Sequence, residues 1–356
     1  MTTPRLKIAV LFGGRSAEHD VSVLSATNVM AALAPDKYDL VPIFVTLEGQ
    51  WLRSHFENGV LDMPEAGQEL SLVPGGRGRM ILIGADGLVA GTDKIDALFP
   101  VLHGLHGEDG SVQGLAAVAR VPLVGCGILG SATALDKIIA KQLLGAAGLP
   151  VARSVTIRAG EAPEFAGLED ELGLPIFIKP ARQGSSVGVS KVSGSQEFTP
   201  ALAEAFRFDH VILAEEFIEG REIEFSVLED EKGELFISRP GEIIPAERHG
   251  FYSYDAKYVD ETGATLKVPA DLPPDVETAM RDTAERAFRA LGCDGMARVD
   301  FFLTPNMQFL VNEVNTIPGF TNISMYAKAM EASGIAYPSI IDRLVGHSLA
   351  RADRAQ

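Results

Sequence analysis

Four polar residues near the carboxy end are spaced so that one hairpin would carry them all on the same face. Arg298 and Asp300 alternate in Arg298-Val299-Asp300, as Glu313 and Asn315 do in Glu313-Val314-Asn315, and strand residues two apart point to the same side. If the register sets Asp300 opposite the second pair, Asp300, Glu313 and Asn315 offer three hard oxygen donors, the set that suits a magnesium ion also held by phosphates. Polar side chains on a half-buried face are costly unless a ligand or ion satisfies them. A solvated outer face would tolerate them equally. The turn that follows, Thr316-Ile317-Pro318-Gly319-Phe320-Thr321-Asn322, is tight enough to aim backbone N–H groups at an anion.

A second group is Lys179-Pro180-Ala181-Arg182-Gln183-Gly184-Ser185-Ser186-Val187-Gly188. A cation beside small hydroxyl and glycine residues suits a flap closing over a polyphosphate, or an ordinary Gly/Ser hairpin. It is not a P-loop, because no helix opens on a Gly-Lys-Ser ending. Near the amino end, Gly13-Gly14-Arg15-Ser16-Ala17-Glu18-His19-Asp20 lacks the third glycine of a dinucleotide fingerprint. Glu18 there reads as a carboxylate facing a cleft. His103, in Leu102-His103-Gly104-Leu105-His106-Gly107-Glu108-Asp109-Gly110, ends a strand among glycines, where a lone histidine is usually structural.

These groups need a scaffold, and the apolar pattern supplies one. The run Lys7-Ile8-Ala9-Val10-Leu11-Phe12 reads as a buried strand, residues 22–33 as a helix stopped by Pro35, and residues 41–45 and 95–101 as further strands of a parallel sheet. Glycine-rich residues 48–93 are expected as surface hairpins and loops with little chemistry. Ser131 reads as the cap of a helix over 134–147 that Gly148 ends, with a domain boundary near 125–130. An α+β unit follows, with strands at 174–179 and 189–192 and a helix at 200–206. Beyond residue 211 come alternating strands, a long loop over 244–263, a helix over 275–291, a hairpin over 297–314 turning at Thr304-Pro305-Asn306, and a closing helix over 336–349. No internal repeat or low-complexity tract interrupts them.

The 356 residues favour two or three domains. A net charge of −17 repels phosphate polymers and anionic membranes, so any phosphate chemistry relies on local cations. No apolar run approaches the ~20 residues of a membrane span and no signal pattern opens the chain, which predicts a cytoplasmic protein. The two cysteines, Cys126 and Cys293, lie far apart in apolar, glycine-rich surroundings and are expected as reduced, buried thiols.

With these pieces placed, the chain closely resembles D-alanine-D-alanine ligases of the ATP-grasp superfamily over nearly its whole length. The stretches that carry the likeness are 13–22, 103–110, 179–188, Tyr254-Asp255-Ala256-Lys257-Tyr258, and 295–300 with 312–324. The resemblance implies α/β and α+β architecture in three domains: an amino-terminal parallel-sheet domain over 1–125, a central ATP-grasp subdomain over 126–214 and a carboxy-terminal one over 215–356. It implies that ATP phosphorylates the carboxylate of one D-alanine and that the amine of a second attacks the acyl phosphate. It assigns ATP to Lys137, Lys179, Ser186, Glu215, Glu216, Glu222, Lys257 and Asn312, and magnesium or manganese, usually two ions, to Asp300, Glu313 and Asn315. Arg298 and the Gly319 N–H match groups that stabilise the tetrahedral oxyanion. By the same likeness Glu18 holds the first ammonium, His103 lines the first subsite and Ser324 accepts the second carboxylate, while Glu18, Ser185 and Tyr258 form a hydrogen-bonded trio.

Tyr258 favours an amine nucleophile, since the related D-alanine-D-lactate ligases generally lack it. Glu216 departs from the Lys or Gln that related ligases often carry beside adenine. The family implies a homodimer that takes two D-alanines and neither nucleic acid nor membrane. Competing readings are another acceptor such as D-lactate or D-serine, a nucleotide-binding regulatory protein without turnover, and an NAD-dependent oxidoreductase, which lacks its ribose-binding acid.

Overall fold

The computed structural model describes residues 4–84, 86–161, 163–246, 263–321 and 323–354. The first sheet has seven strands in the order Val89–Lys94, Arg79–Ile83, Glu69–Leu72, Trp51–Arg53, Tyr38–Val45, Leu6–Gly13, Ala97–Pro100. Only the last three run parallel, with helix His19–Ala32 as the crossover between the first two of them in sequence. The sheet is therefore mixed. Residues 48–93 do form hairpins, and all but the small separate pair Phe56–Glu57 and Val60–Leu61 extend the sheet rather than leaving it. Leu70, Leu72 and Met80 enter one core with Ala9, Leu11 and Val41, because Glu69-Leu70-Ser71-Leu72 alternates strictly and buries one face. Ser22, deep in the crossover helix, accepts the Gly13 N–H at 2.8 Å and donates to the Val101 carbonyl, pinning the helix to two strand ends.

The single helix expected over 134–147 is two, Ile128–Leu135 and Lys137–Ala146. Asp136 causes the break: its extended backbone ends one helix while its carboxylate accepts the Ile138 and Ile139 N–H groups at 3.0 and 3.2 Å, capping the next. Ser131 lies buried inside the first helix and is not a cap.

The second sheet is antiparallel, in the order Ser154–Arg158, Val211–Glu216, Ile176–Pro180, Ser190–Val192. Helices Phe165–Leu172 and Ser195–Ala205 close its core. Strand Val211–Glu216 runs through the 214/215 position, so Glu215 and Glu216 belong to this sheet.

The third sheet has the path Ala264–Lys267, Gly241–Pro245, Arg221–Glu229, Met296–Leu303, Phe309–Asn315, with Leu235–Ile237 added beside Arg221–Glu229. Helix Pro274–Ala290 covers it through Met280, Ala284, Ala287 and Phe288. The Met296–Leu303 and Phe309–Asn315 hairpin turns where the sequence predicts, Thr304 N–H bonding the Gln308 carbonyl at 2.8 Å. Helix Met325–Ala332 packs on the third sheet, Tyr326 donating to the Val227 carbonyl at 2.9 Å. Helix Tyr337–Arg354 bridges that sheet to the first, so that Ile8, Val10 and Phe99 share a core with Phe320, Ile340 and Leu344. Cys126 and Cys293 are buried free thiols in one core. Among the described residues no helix is long and apolar enough to cross a membrane.

Candidate active site

Between the second and third sheets lies a cavity of about 440 Å³, within the range of small-molecule sites. Lys137, Lys179, Ser185, Ser186, Glu215, Glu216, Glu222, Arg298, Asp300, Asn312 and Glu313 all line it. Lys257 and Tyr258 lie outside the described residues.

The hairpin pattern explains the carboxylate wall. Asp300 stands opposite Glu313 on one side and Glu224 on the other, and Arg298 opposite Asn315. A bulge after Asp300 leaves Asn312 without a cross-strand partner, so two consecutive residues, Asn312 and Glu313, both reach the cavity. Arg298 forks onto Asp300 at 2.7 and 2.6 Å and reaches Glu224 at 3.0 Å, and Asn315 donates to Asp300 at 3.0 Å. Burial alone would push the Arg298 guanidinium toward neutrality, but the Asp300 and Glu224 carboxylates outweigh it and hold the cation well above its ordinary range.

Among the described residues no group of three His, Cys, Asp or Glu side chains is gathered as a metal cage. Magnesium at a nucleotide does not need one, since one or two carboxylates suffice where phosphate oxygens and water complete the octahedron. Asp300, Glu313 and Asn315 fit that requirement: Asn315 bonds Asp300, and Glu313 stands across from Asp300 on the cavity wall.

At the opposite wall Glu215 is gripped by two lysines, Lys179 and Lys141, the latter at 2.7 Å. Burial raises the Glu215 carboxyl, yet the two ammonium groups dominate and bring it down to about 2. Lys141, absent from the sequence reading, sits one helical turn after Lys137 and was detectable only by that spacing. Lys137 donates to the Gln183 carbonyl at 2.6 Å, tying helix to flap. In the flap, Ser185 and Ser186 both adopt positive φ, 51° and 59°, a conformation that costs non-glycine residues energy and persists where the surroundings demand it. The Glu216 carboxylate is occupied by Arg153 N–H and Nε, each at 2.7 Å, so its side chain is committed to the protein.

Glu18 precedes helix His19–Ala32 but makes no capping bond. Its carboxylate instead accepts the Ser185 hydroxyl, joining the loop after strand Leu6–Gly13 to the loop after Pro180. Gly104 and Gly184 both crowd it: a Cβ on either would stand 3.1 or 3.0 Å from Glu18 Oε2. His103 is buried, Nδ1 at 3.0 Å from the Ile317 carbonyl and Nε2 at 3.3 Å from Ser25, and burial keeps it below its usual range. Gly319 and Ser324 are neighbours, a Cβ on Gly319 falling 3.0 Å from Ser324 Oγ, which accepts the Thr321 N–H at 3.1 Å. Glu18, His103, Gly319 and Ser324 thus lie outside the cavity's own wall.

The chain also shows what it resembles. Residues 7–126 match the model for the D-ala D-ala ligase N-terminus and residues 143–346 that for the D-ala D-ala ligase C-terminus. A D-alanine--D-alanine ligase A from Brucella suis biovar 1 is 63% identical over 351 residues, 99% of each chain. The solved D-alanine-D-alanine ligase from Coxiella burnetii is 35% identical with a TM-score of 0.85, covering 99% of this chain and 97% of that one. VanG D-Ala:D-Ser ligase from Enterococcus faecalis is 34% identical with a TM-score of 0.82, covering 97% of this chain and 100% of its own. With both halves matched and likeness running end to end, the chain belongs to the D-alanine-D-alanine ligase family.

Proposed function

We propose that this ATP-grasp enzyme forms D-alanyl-D-alanine for peptidoglycan, in the cytoplasm, as a homodimer. The carrying observation is the charged wall of Arg298, Asp300 and Glu313 on a nucleotide-sized cavity, with Glu18 bonded across to the flap serine.

Glu215, with the backbone beside it, borders the adenine, Glu222 the ribose, and Lys137, Lys179, Ser186 and Lys257 the phosphates; Asn312 completes the nucleotide set. Asp300, Glu313 and Asn315 would hold magnesium or manganese, as two ions, which would neutralise the charge of the transferring phosphoryl group. Glu18 anchors the first D-alanine's ammonium beside His103. The substrate carboxylate oxygen bonds the γ-phosphorus as the bond to the ADP oxygen breaks, so a poor leaving group, oxide, becomes phosphate. The second D-alanine, its carboxylate at Ser324, attacks the carbonyl carbon through its uncharged amine, phosphate departs with the electron pair of the C–O bond, and the nitrogen gives up its surplus proton to the departing phosphate. Arg298, kept fully charged by its acidic neighbours, and the Gly319 N–H meet the oxyanion. Loss of one such donor costs ~10²–10³ in rate. Ser185 and Tyr258, with Glu18, close the flap over the incoming amine.

The test is phosphate release with Mg²⁺ and ATP. D-alanine raises it and L-alanine does not; a flat response to D-alanine removes the reading. A second reading takes D-serine as acceptor, favoured by the likeness to the D-Ala:D-Ser ligase. Product masses from D-alanine and D-serine in competition separate the two.

A further inference from the structure

Glu108 has no part in the roles above, yet it bridges two loops separated by 209 positions in sequence. Its Oε2 accepts the Gly104 N–H at 2.7 Å, and its Oε1 accepts the Ile317 N–H at 3.0 Å. The Ile317 carbonyl is held in turn by His103 Nδ1 at 3.0 Å. Both polar groups of residue 317 are therefore fixed by one short loop, two residues before Gly319. At its other end the clamp fixes Gly104, the residue packed on Glu18.

We propose that Glu108 is a positioning residue that locks the His103 loop to the Gly319 loop and so sets the spacing between the first substrate's ammonium seat and the N–H facing the oxyanion. This rests on the roles proposed for Glu18 and Gly319. A carboxyl group suits the task because each of its two oxygens keeps a lone pair for one backbone N–H, whether the group is ionised or protonated. Glutamine offers one acceptor and turns an NH₂ on the other amide; aspartate keeps the carboxyl group but is a methylene too short to span both.

Burial, and after it the nearby Glu18 and Glu313 charges, pushes the Glu108 carboxyl up to about 8, so an acid serving stability alone would be poorly placed here. Its place is explained by the two amides it joins.

Steady-state kinetics on the full chain test the idea. Glu108→Gln and Glu108→Asp should each lower kcat about 10–100-fold and raise KM for the donor D-alanine about 10-fold, the scale of an ångström-sized misplacement, with KM for ATP little changed. Wild-type activity in either folded variant overturns the clamp, as does a parallel loss of ATP affinity. Amide exchange on the wild type decides the matter even if the variants do not fold. Gly104 and Ile317 N–H should exchange slowly, like the Val311 N–H bonded to Pro150; free-chain exchange at either overturns the proposal. Failure of D-alanine to stimulate the wild type would sink the ligase reading, while the exchange result still stands for or against the clamp.

Discussion

Glu215 shows how single residues set the energetics of the cavity. Its two oxygens neutralise Lys141 and Lys179, and the carboxyl falls from an ordinary 4.5 to about 2. Because the folded value is depressed, the stabilisation is fully present above pH 4.5 and is lost as pH falls toward 2. Urea midpoints measured from pH 6 to 2 should fall through that window in the wild type and show a weaker decline in Glu215→Gln. Glu215→Ala should cost about 3–5 kcal/mol at neutral pH, since two buried ammonium groups lose their partner. At this scale the alternation in Arg298-Val299-Asp300 and Glu313-Val314-Asn315 was enough to place four side chains on one face. Lys141 was legible only through its one-turn spacing from Lys137, and Glu224 and Glu108 not at all, because each acquires its meaning from a partner that only the fold brings near.

The elements were legible where periodicity was undisturbed: strand Leu6–Gly13, helix Pro274–Ala290 and the hairpin at Thr304 all stand within a residue or two of expectation. They were misread where a local polar contact overrides the pattern. Apolar spacing continues through Asp136, but its side chain offers the backbone a cap and the helix restarts there. Asp136→Ala should therefore cost about 1 kcal/mol in urea unfolding. It should also weaken nucleotide binding by calorimetry, because Lys137, at the start of the capped helix, ties that helix to the flap at Gln183. The strands of residues 48–93 were hidden by glycines around short alternating runs, which become part of the sheet as Trp51–Arg53 pairs with Tyr38–Val45 and the later strands add on beyond it.

Across the whole molecule, the last helix is the fastening. Arg351 reaches the Leu123 and Gly125 carbonyls at 2.6 and 3.1 Å and Asp294 at 2.5 Å, linking the end of the first domain to the third sheet. Arg351→Ala should lower unfolding free energy by about 1–3 kcal/mol, read from the urea midpoint, and leave KM for ATP unchanged, since Arg351 does not line the cavity. The residues that complete the core around Ile8 and Phe99 come from Phe320, Ile340, Ile341 and Leu344. During synthesis, then, the opening strands emerge with an apolar flank uncovered and must wait for the ribosome to reach the final helix. Nascent chains stalled before Tyr337 should be bound by holding chaperones.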